Sequence, residues 1–313
     1  GLENKLYHTK NFDIKISYEK PIITKETNDL YDMVIICPNK FKKELDSFVS
    51  HKNNYGIKTK IKTTSSIYAD SLLKKYDDIG RDKAEKVKYF IKWAKEEWGV
   101  EYVLLLGGRV GQLLKWHVPV RYTNLVDDLE KRHLSDLYFS DLYKYNETTH
   151  SQEFEDWDSN KNNIFAELDT YEDISYADKI DFYPDIKVGR LAVRNKKELR
   201  TVLDKIISYE KNTNGSDWFK NFTIVGGDTS PPVRDGEYGY NEGDIETRLS
   251  ASYLKPLGFN INEVFISTGN FTNTIDLVNA ISNGSGFIHL SGHGNPMTRS
   301  EEHTSELQSL LII

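Results

Sequence analysis

Cysteine is almost absent: Cys37 is the one thiol in 313 residues. An internal disulfide framework is therefore excluded, and cysteine usage says nothing of the compartment. No Cys/His group has zinc spacing. No apolar run approaches the roughly 18 residues that a membrane-spanning helix needs. Basic side chains are outnumbered 41 to 48, for a net charge of −7, and the basic stripe of a nucleic-acid-binding protein is missing. Gly107-Gly108-Arg109-Val110-Gly111 is glycine-rich, yet it lacks both the Gly-Lys-Ser/Thr ending of a phosphate-binding loop and the dinucleotide fingerprint. No organic cofactor is indicated. No tandem repeat has a solenoid period. The chain begins at Gly1, with neither Met nor a signal peptide, as expected of a mature form or a fragment.

What is present describes a globular α/β chain. With 28% charged, 38% hydrophobic and 12% aromatic residues, it can bury a core, and its length favours two domains or one large one. Lys5 to Ile23 alternates weakly, as an edge strand would. Met33 to Cys37 is a β-branched run stopped by Pro38, the pattern of a strand buried on both faces. Asn39 is placed to cap a helix carrying Phe41, Leu45, Phe48 and Val49, and Ile57 to Thr64 alternates as a second strand. Arg81 to Trp98 is amphipathic, closed by Gly99, and leads into the strand Tyr102 to Leu106. This strand–helix–strand rhythm predicts a doubly wound, mostly parallel sheet with flanking helices. Residues 124–183, rich in Asp, Asn and Tyr, interrupt it as an insertion, expected to be a functional excursion above the sheet. The rhythm returns with a strand to Leu191 and a helix to Lys211. A boundary is expected near 213–214. A second unit then offers strands at Phe222–Val225, Glu263–Ser267 and Gly286–Ser291, with helices at Ile245–Leu257 and Thr274–Ile281.

Three strand exits carry chemistry-bearing residues, at the edge where open α/β sheets place their sites. In Ser291-Gly292-His293-Gly294-Asn295, His293 sits between glycines, either as a general base or as a plain turn histidine. His289, on the strand itself, is expected to be a satisfied core residue. In Gly226-Gly227-Asp228, Asp228 can orient a histidine from a neighbouring strand, or simply serve the turn. Asp244 precedes a helix, where an acid also favours the dipole. In the third stretch, Asp156, Asp158, Asn160, Asn162 and Glu167 fall at positions 1, 3, 5, 7 and 12 of a calcium-type loop. Lys161 stands where such loops have glycine, and the apolar residue expected at position 8 comes one later, at Ile164. The alternative is a polar surface loop; a helix–loop–helix EF-hand is excluded.

Three stretches in fixed order carry a resemblance. Asp181-Phe182-Tyr183-Pro184-Asp185-Ile186-Lys187-Val188-Gly189-Arg190 is similar to the Tyr-Pro-acid-hydrophobic-x-hydrophobic-Gly-Arg signature of the gingipain-type cysteine endopeptidases. Gly226 to Asp244 resembles their acidic loop region, and Gly286 to Asn295 their strand ending in Gly-His-Gly. The resemblance spans about Tyr31 to Thr298. It implies a caspase-like fold in two subdomains, 29–213 and 214–298, after a lead-in of 1–28, with the second subdomain incomplete. It also implies a secreted or surface protein acting on protein or peptide substrates. His293 then matches the catalytic histidine, Asp228 its assisting acid, and Asp244 the acid of the primary specificity pocket in arginine-specific members. Gly294 would supply an oxyanion N–H. Structural calcium in the family adds weight to the Asp156–Glu167 loop.

The family's nucleophilic cysteine follows its histidine on the next strand, and no cysteine follows His293 here. Arg299 to Ile313 resembles a translated sequencing adapter. The expectation is a chain cut before its nucleophile and inactive as written, with Cys37 a core residue and no substitute. A catalytically dead, calcium-stabilised surface or adhesion module on the same scaffold, and a small-molecule-binding α/β domain, are the alternatives.

Overall fold

Along Met33–Cys37 (β1), Val34 and Ile36 face one layer and Ile35 and Cys37 the other, and all four are fully buried. A strand covered on both faces needs apolar side chains at every position, which explains the unbroken run. The computed structural model describes residues 30–70, 80–111, 115–125, 132–168, 177–213, 215–227 and 242–292. β1 pairs in parallel with β2 (Thr59–Thr63) and β3 (Tyr102–Leu106), and β3 with β8 (Lys187–Leu191), in the order β2-β1-β3-β8.

Two helical layers cover this sheet. On one side α3 (Lys83–Trp98) packs Val87, Phe90, Ile91 and Ala94 against Val34, Ile36, Val103 and Leu105. On the other, α1 (Asp46–Asn54) and α5 (Lys196–Asn212) bring Phe48, Leu199, Leu203 and Ile206 to Ile35 and Cys37. α2 (Thr64–Tyr68) is a short turn after β2. The first helix differs from expectation. Pro38 occupies the capping slot at ψ 151°, residues 39–45 wind as a 3-10 helix without a side-chain cap, and α1 begins only at Asp46. Asn39 thus lies inside the turn it was expected to cap.

Residues 124–183 also depart from the sequence reading. They include β4 (Asn124–Leu125), α4 (Leu137–Ser140), the hairpin β5 (Tyr143–Asn146) with β6 (Ser151–Phe154), and β7 (Glu167–Leu168). Their aromatic residues Tyr138, Phe139 and Trp157 are fully buried in the same core as α3. Through these rings the described part of the segment extends that core, where an excursion above the sheet was expected. Burying such rings removes so much apolar surface from water that the polar residues between them are folded in as well.

A second parallel sheet has the order β10-β9-β11, with β9 (Asn221–Gly226) central between β10 (Asn260–Phe265) and β11 (Phe287–Ser291). β10 begins and ends earlier than the expected Glu263–Ser267. α6 (Glu242–Leu254) and α7 (Thr274–Ser282) accompany it. Tyr209 of α5 donates to the Gly286 carbonyl at 2.9 Å and its ring lies 5.6 Å from that of Trp218, so the two sheets are tied through this corner. No helix among the described residues is long and apolar enough to cross a membrane. The expected strand Lys5–Ile23 and residues 299–313 lie outside the described residues.

Candidate active site

The carboxyl ends of β9 and β11 meet. Gly227 N–H donates to the Ser291 carbonyl at 2.8 Å, so the chain leaves both strands side by side. A Cβ on Gly227 would stand 3.3 Å from the Gly292 Cα. The amino end of α6 closes on the same point. A Cβ on Gly243 would lie 2.4 Å from the Gly227 carbonyl oxygen and 2.8 Å from that of Ser291. Glycine at these positions lets three backbones converge, and it brings a helix amino end, with its partial positive charge, to the sheet edge.

Asp244 lies within this convergence, only 6% exposed. Its Oδ2 accepts from the Ser267 hydroxyl, while its buried Oδ1 has no hydrogen-bond partner among the described residues. A buried carboxylate oxygen without a donor is costly and marks a place where a ligand group can complete the shell. Sequence reasoning missed three neighbours. Ser267 follows β10, Thr247 Oγ1 donates to the Gly243 carbonyl at 2.7 Å, and Ser291 Oγ donates to Glu246 Oε2 at 2.5 Å. Only Glu246 had a usable signal, two residues beyond Asp244 in the first turns of a helix. His289 is half-buried, and its Nδ1 is 2.8 Å from Ser250 Oγ, so it is satisfied from α6 and sits at the flank of the sheet, outside the core clusters. Asp228, His293 and Gly294 lie outside the described residues; each follows directly, or within two positions, one of the touching residues Gly227 and Gly292.

Cys37 is fully buried among Phe41, Leu45 and Leu106, and burial pushes its thiol up to about 12. It is a small core residue with no access to substrate.

The loop with calcium-type spacing runs between β6 and β7. Lys161, at the position where glycine is usual, has φ 62°, but Trp157, Asn163 and Ala166 are left-handed as well, at φ 65°, 67° and 52°, so the backbone matches a calcium loop at that one position. Its side chains are brought together, but on protein donors. Asp156 Oδ2 accepts from Arg81 Nη2 at 3.1 Å and Lys161 Nζ at 2.6 Å, and Asp158 Oδ2 accepts from Arg81 Nη1. The Asn160 and Asn162 amides both donate to Glu167 Oε2. Among the described residues, no group of three or more His, Cys, Asp or Glu side chains is disposed to hold a metal ion. As arranged, this donor set does not fit calcium.

Two parallel sheets with flanking helices define an α/β protein, and at the carboxyl edge of the second sheet Gly227, Ser291, Gly292 and Asp244 converge. The chain belongs to peptidase family C25, whose model matches residues 26–310 and so runs into the stretch after Thr298. It is 20% identical over 307 residues to gingipain R2 of Porphyromonas gingivalis (strain ATCC BAA-308 / W83), covering 97% of this chain and 32% of that protein. The complex of the P. gingivalis RgpB pro- and mature domains aligns with a TM-score of 0.50 at 19% identity, over 84% of this chain and 48% of that one. Dimeric latent PorU of P. gingivalis aligns with a TM-score of 0.40 at 16% identity, over 60% of this chain and 16% of that one. The chain thus spans about a third of the curated relative and about half of the RgpB chain.

Proposed function

We propose that this chain carries the histidine and acid of a secreted or surface cysteine endopeptidase that hydrolyses peptide bonds after basic residues. The observation that carries the reading is the contact between Gly227 and Ser291. It sets the exits of β9 and β11 together, one residue before Asp228 and two before His293. Membership of peptidase family C25 supports the chemistry.

On this reading a cysteine thiolate attacks the scissile carbonyl carbon, and its electrons pass to the carbonyl oxygen. The Gly294 N–H stabilises that oxyanion. His293, positioned by Asp228, gives a proton to the leaving amine as the C–N bond breaks, leaving an acyl-enzyme thioester. Water, deprotonated by His293, then releases the acid and restores the thiol. The thiolate comes from outside these 313 residues, because their single cysteine is sealed in the core. Asp244, whose Oδ1 has no partner among the described residues, is the acid that receives the basic side chain through a charge-assisted hydrogen bond.

The test is hydrolysis of peptidyl-arginine and peptidyl-lysine amides by the product of the complete gene. His293→Ala lowers kcat by about 10²–10⁴-fold. Asp244→Asn lowers kcat/KM for basic substrates by roughly 10²-fold, the loss of one charged partner. Cys37→Ser leaves turnover intact. A folded protein with no thiol-dependent hydrolysis would instead be the non-catalytic surface module.

A further inference from the structure

The Asp156–Glu167 loop has calcium-type spacing, a left-handed residue at position 6, and a set of protein contacts that leaves its acids occupied. Its side chains fall into two groups, joined where the Asn162 N–H donates to Asp158 Oδ1 at 3.0 Å. At positions 1 and 3, the Arg81 guanidinium bridges Asp156 and Asp158, and Lys161 closes back on Asp156. At positions 5, 7 and 12, both asparagine amides turn their nitrogens to Glu167. Their orientation is set at the other end. Asn160 Oδ1 accepts from Asn162 N–H at 2.9 Å, and Asn162 Oδ1 accepts from Ile164 N–H at 2.8 Å. Flipping either amide to offer oxygen toward the loop centre would set N–H against N–H.

Arg81 is well built for the task. Its five donors also reach Glu85, through Nε at 3.2 and 3.1 Å and Nη2 at 2.7 Å, and its plane lies 4.5 Å from the centre of the Phe165 ring. Asp158 and Glu85 are almost entirely buried, so each depends on this one cation. Lys161 occupies the left-handed position at which a calcium loop has no side chain at all. The side chain present there is the one whose ammonium meets Asp156.

We propose that Arg81 and Lys161 are the resident cations of this loop, which folds and anchors to the start of α3 without calcium. A calcium ion would have to expel a guanidinium from buried Asp158 and break the amide bonds to Glu167 to gain its oxygens. Arg81 also secures the register of the loop against α3, since it pairs with Glu85 and directly precedes Asp82, the residue that caps that helix.

The experiment is thermal melting of the intact chain in excess EGTA and in about 1 mM calcium chloride, a concentration that fills extracellular calcium modules. The expected result is the same melting temperature in both. Arg81→Met, which keeps the stem and removes the charge, lowers it by roughly 5 °C or more in either buffer, and Arg81→Lys retains part of the loss. Stoichiometric calcium binding by the unmodified chain that disappears in Glu167→Gln overturns the proposal, and that comparison holds even if Arg81→Met does not fold.

Discussion

A Cβ added at Gly226 would lie 2.1 Å from Asp244 Oδ1 and 2.9 Å from both the Asp244 backbone nitrogen and Phe265 Cδ1. The glycine at the end of β9 is therefore the hollow that the Asp244 carboxyl fills. Gly226→Ala is expected to cost about 1–3 kcal/mol, measured by urea unfolding, since backbone on one side and a ring on the other must yield. Stability equal to the parent would refute this packing. Lys88 presents a different problem. It is fully buried with no hydrogen-bond partner for Nζ among the described residues, and it lies 4.3 Å from the Tyr138 ring centre. Burial holds it down to about 7, against the pull of Asp141 and Glu155. The unfolded chain then binds the extra proton between about pH 7 and 10, so stability rises with pH through that window, by up to about 1.4 kcal/mol per unit. Asp141, pushed up to about 6 by burial, gives the opposite slope below that window. Lys88→Met should flatten the pH profile above 7; parallel profiles for the two proteins would contradict the assignment. None of this was legible from sequence. Lys88 falls among charges on a helix, and its burial comes from residues about fifty to seventy positions later, Tyr138 and Trp157.

Among the elements, α3 shows how local signals and distant partners combine. Asp82 Oδ1 accepts from the Glu85 N–H at 2.8 Å, capping the helix, and Gly99 closes it in the left-handed region at φ 71°. The same carboxylate receives both terminal nitrogens of Arg121, at 2.7 and 3.0 Å. Asp82→Ala therefore removes a cap and strands a largely buried guanidinium. We expect a loss of about 2–4 kcal/mol by chemical denaturation, with Asp82→Asn recovering about half by keeping the cap. A loss under about 1 kcal/mol would mean that the cap alone matters. The helix and its closing glycine were readable because both are local. So were β1, β3 and β9, whose apolar runs answer to burial on both faces. β10 was displaced in the sequence reading because, among the described residues, it pairs with β9 alone and exposes Asn260, Asn262 and Glu263, leaving only Val264 and Phe265 buried. The 124–183 segment was misjudged for a related reason. Its turn-rich composition hides three buried rings whose partners lie on α3 and on one another.

Over the whole molecule, two parallel sheets present their carboxyl ends as the place for chemistry, and the second gathers Gly226, Gly227, Asp244, Ser291 and Gly292 at one point. The glycines were recognisable in the sequence because they stand at strand ends, and Asp244 because it opens a helix. Their mutual contact was not, since it depends on β9 lying between strands that come later in the chain. The account requires one component that the 313 residues do not contain, a reactive cysteine beyond His293. Long-read sequencing of the source gene across the codon for Thr298 examines this directly. The account predicts a continuous frame that encodes a further short apolar strand ending in cysteine. A frame without that cysteine, or a genuine stop at Ile313, would contradict it.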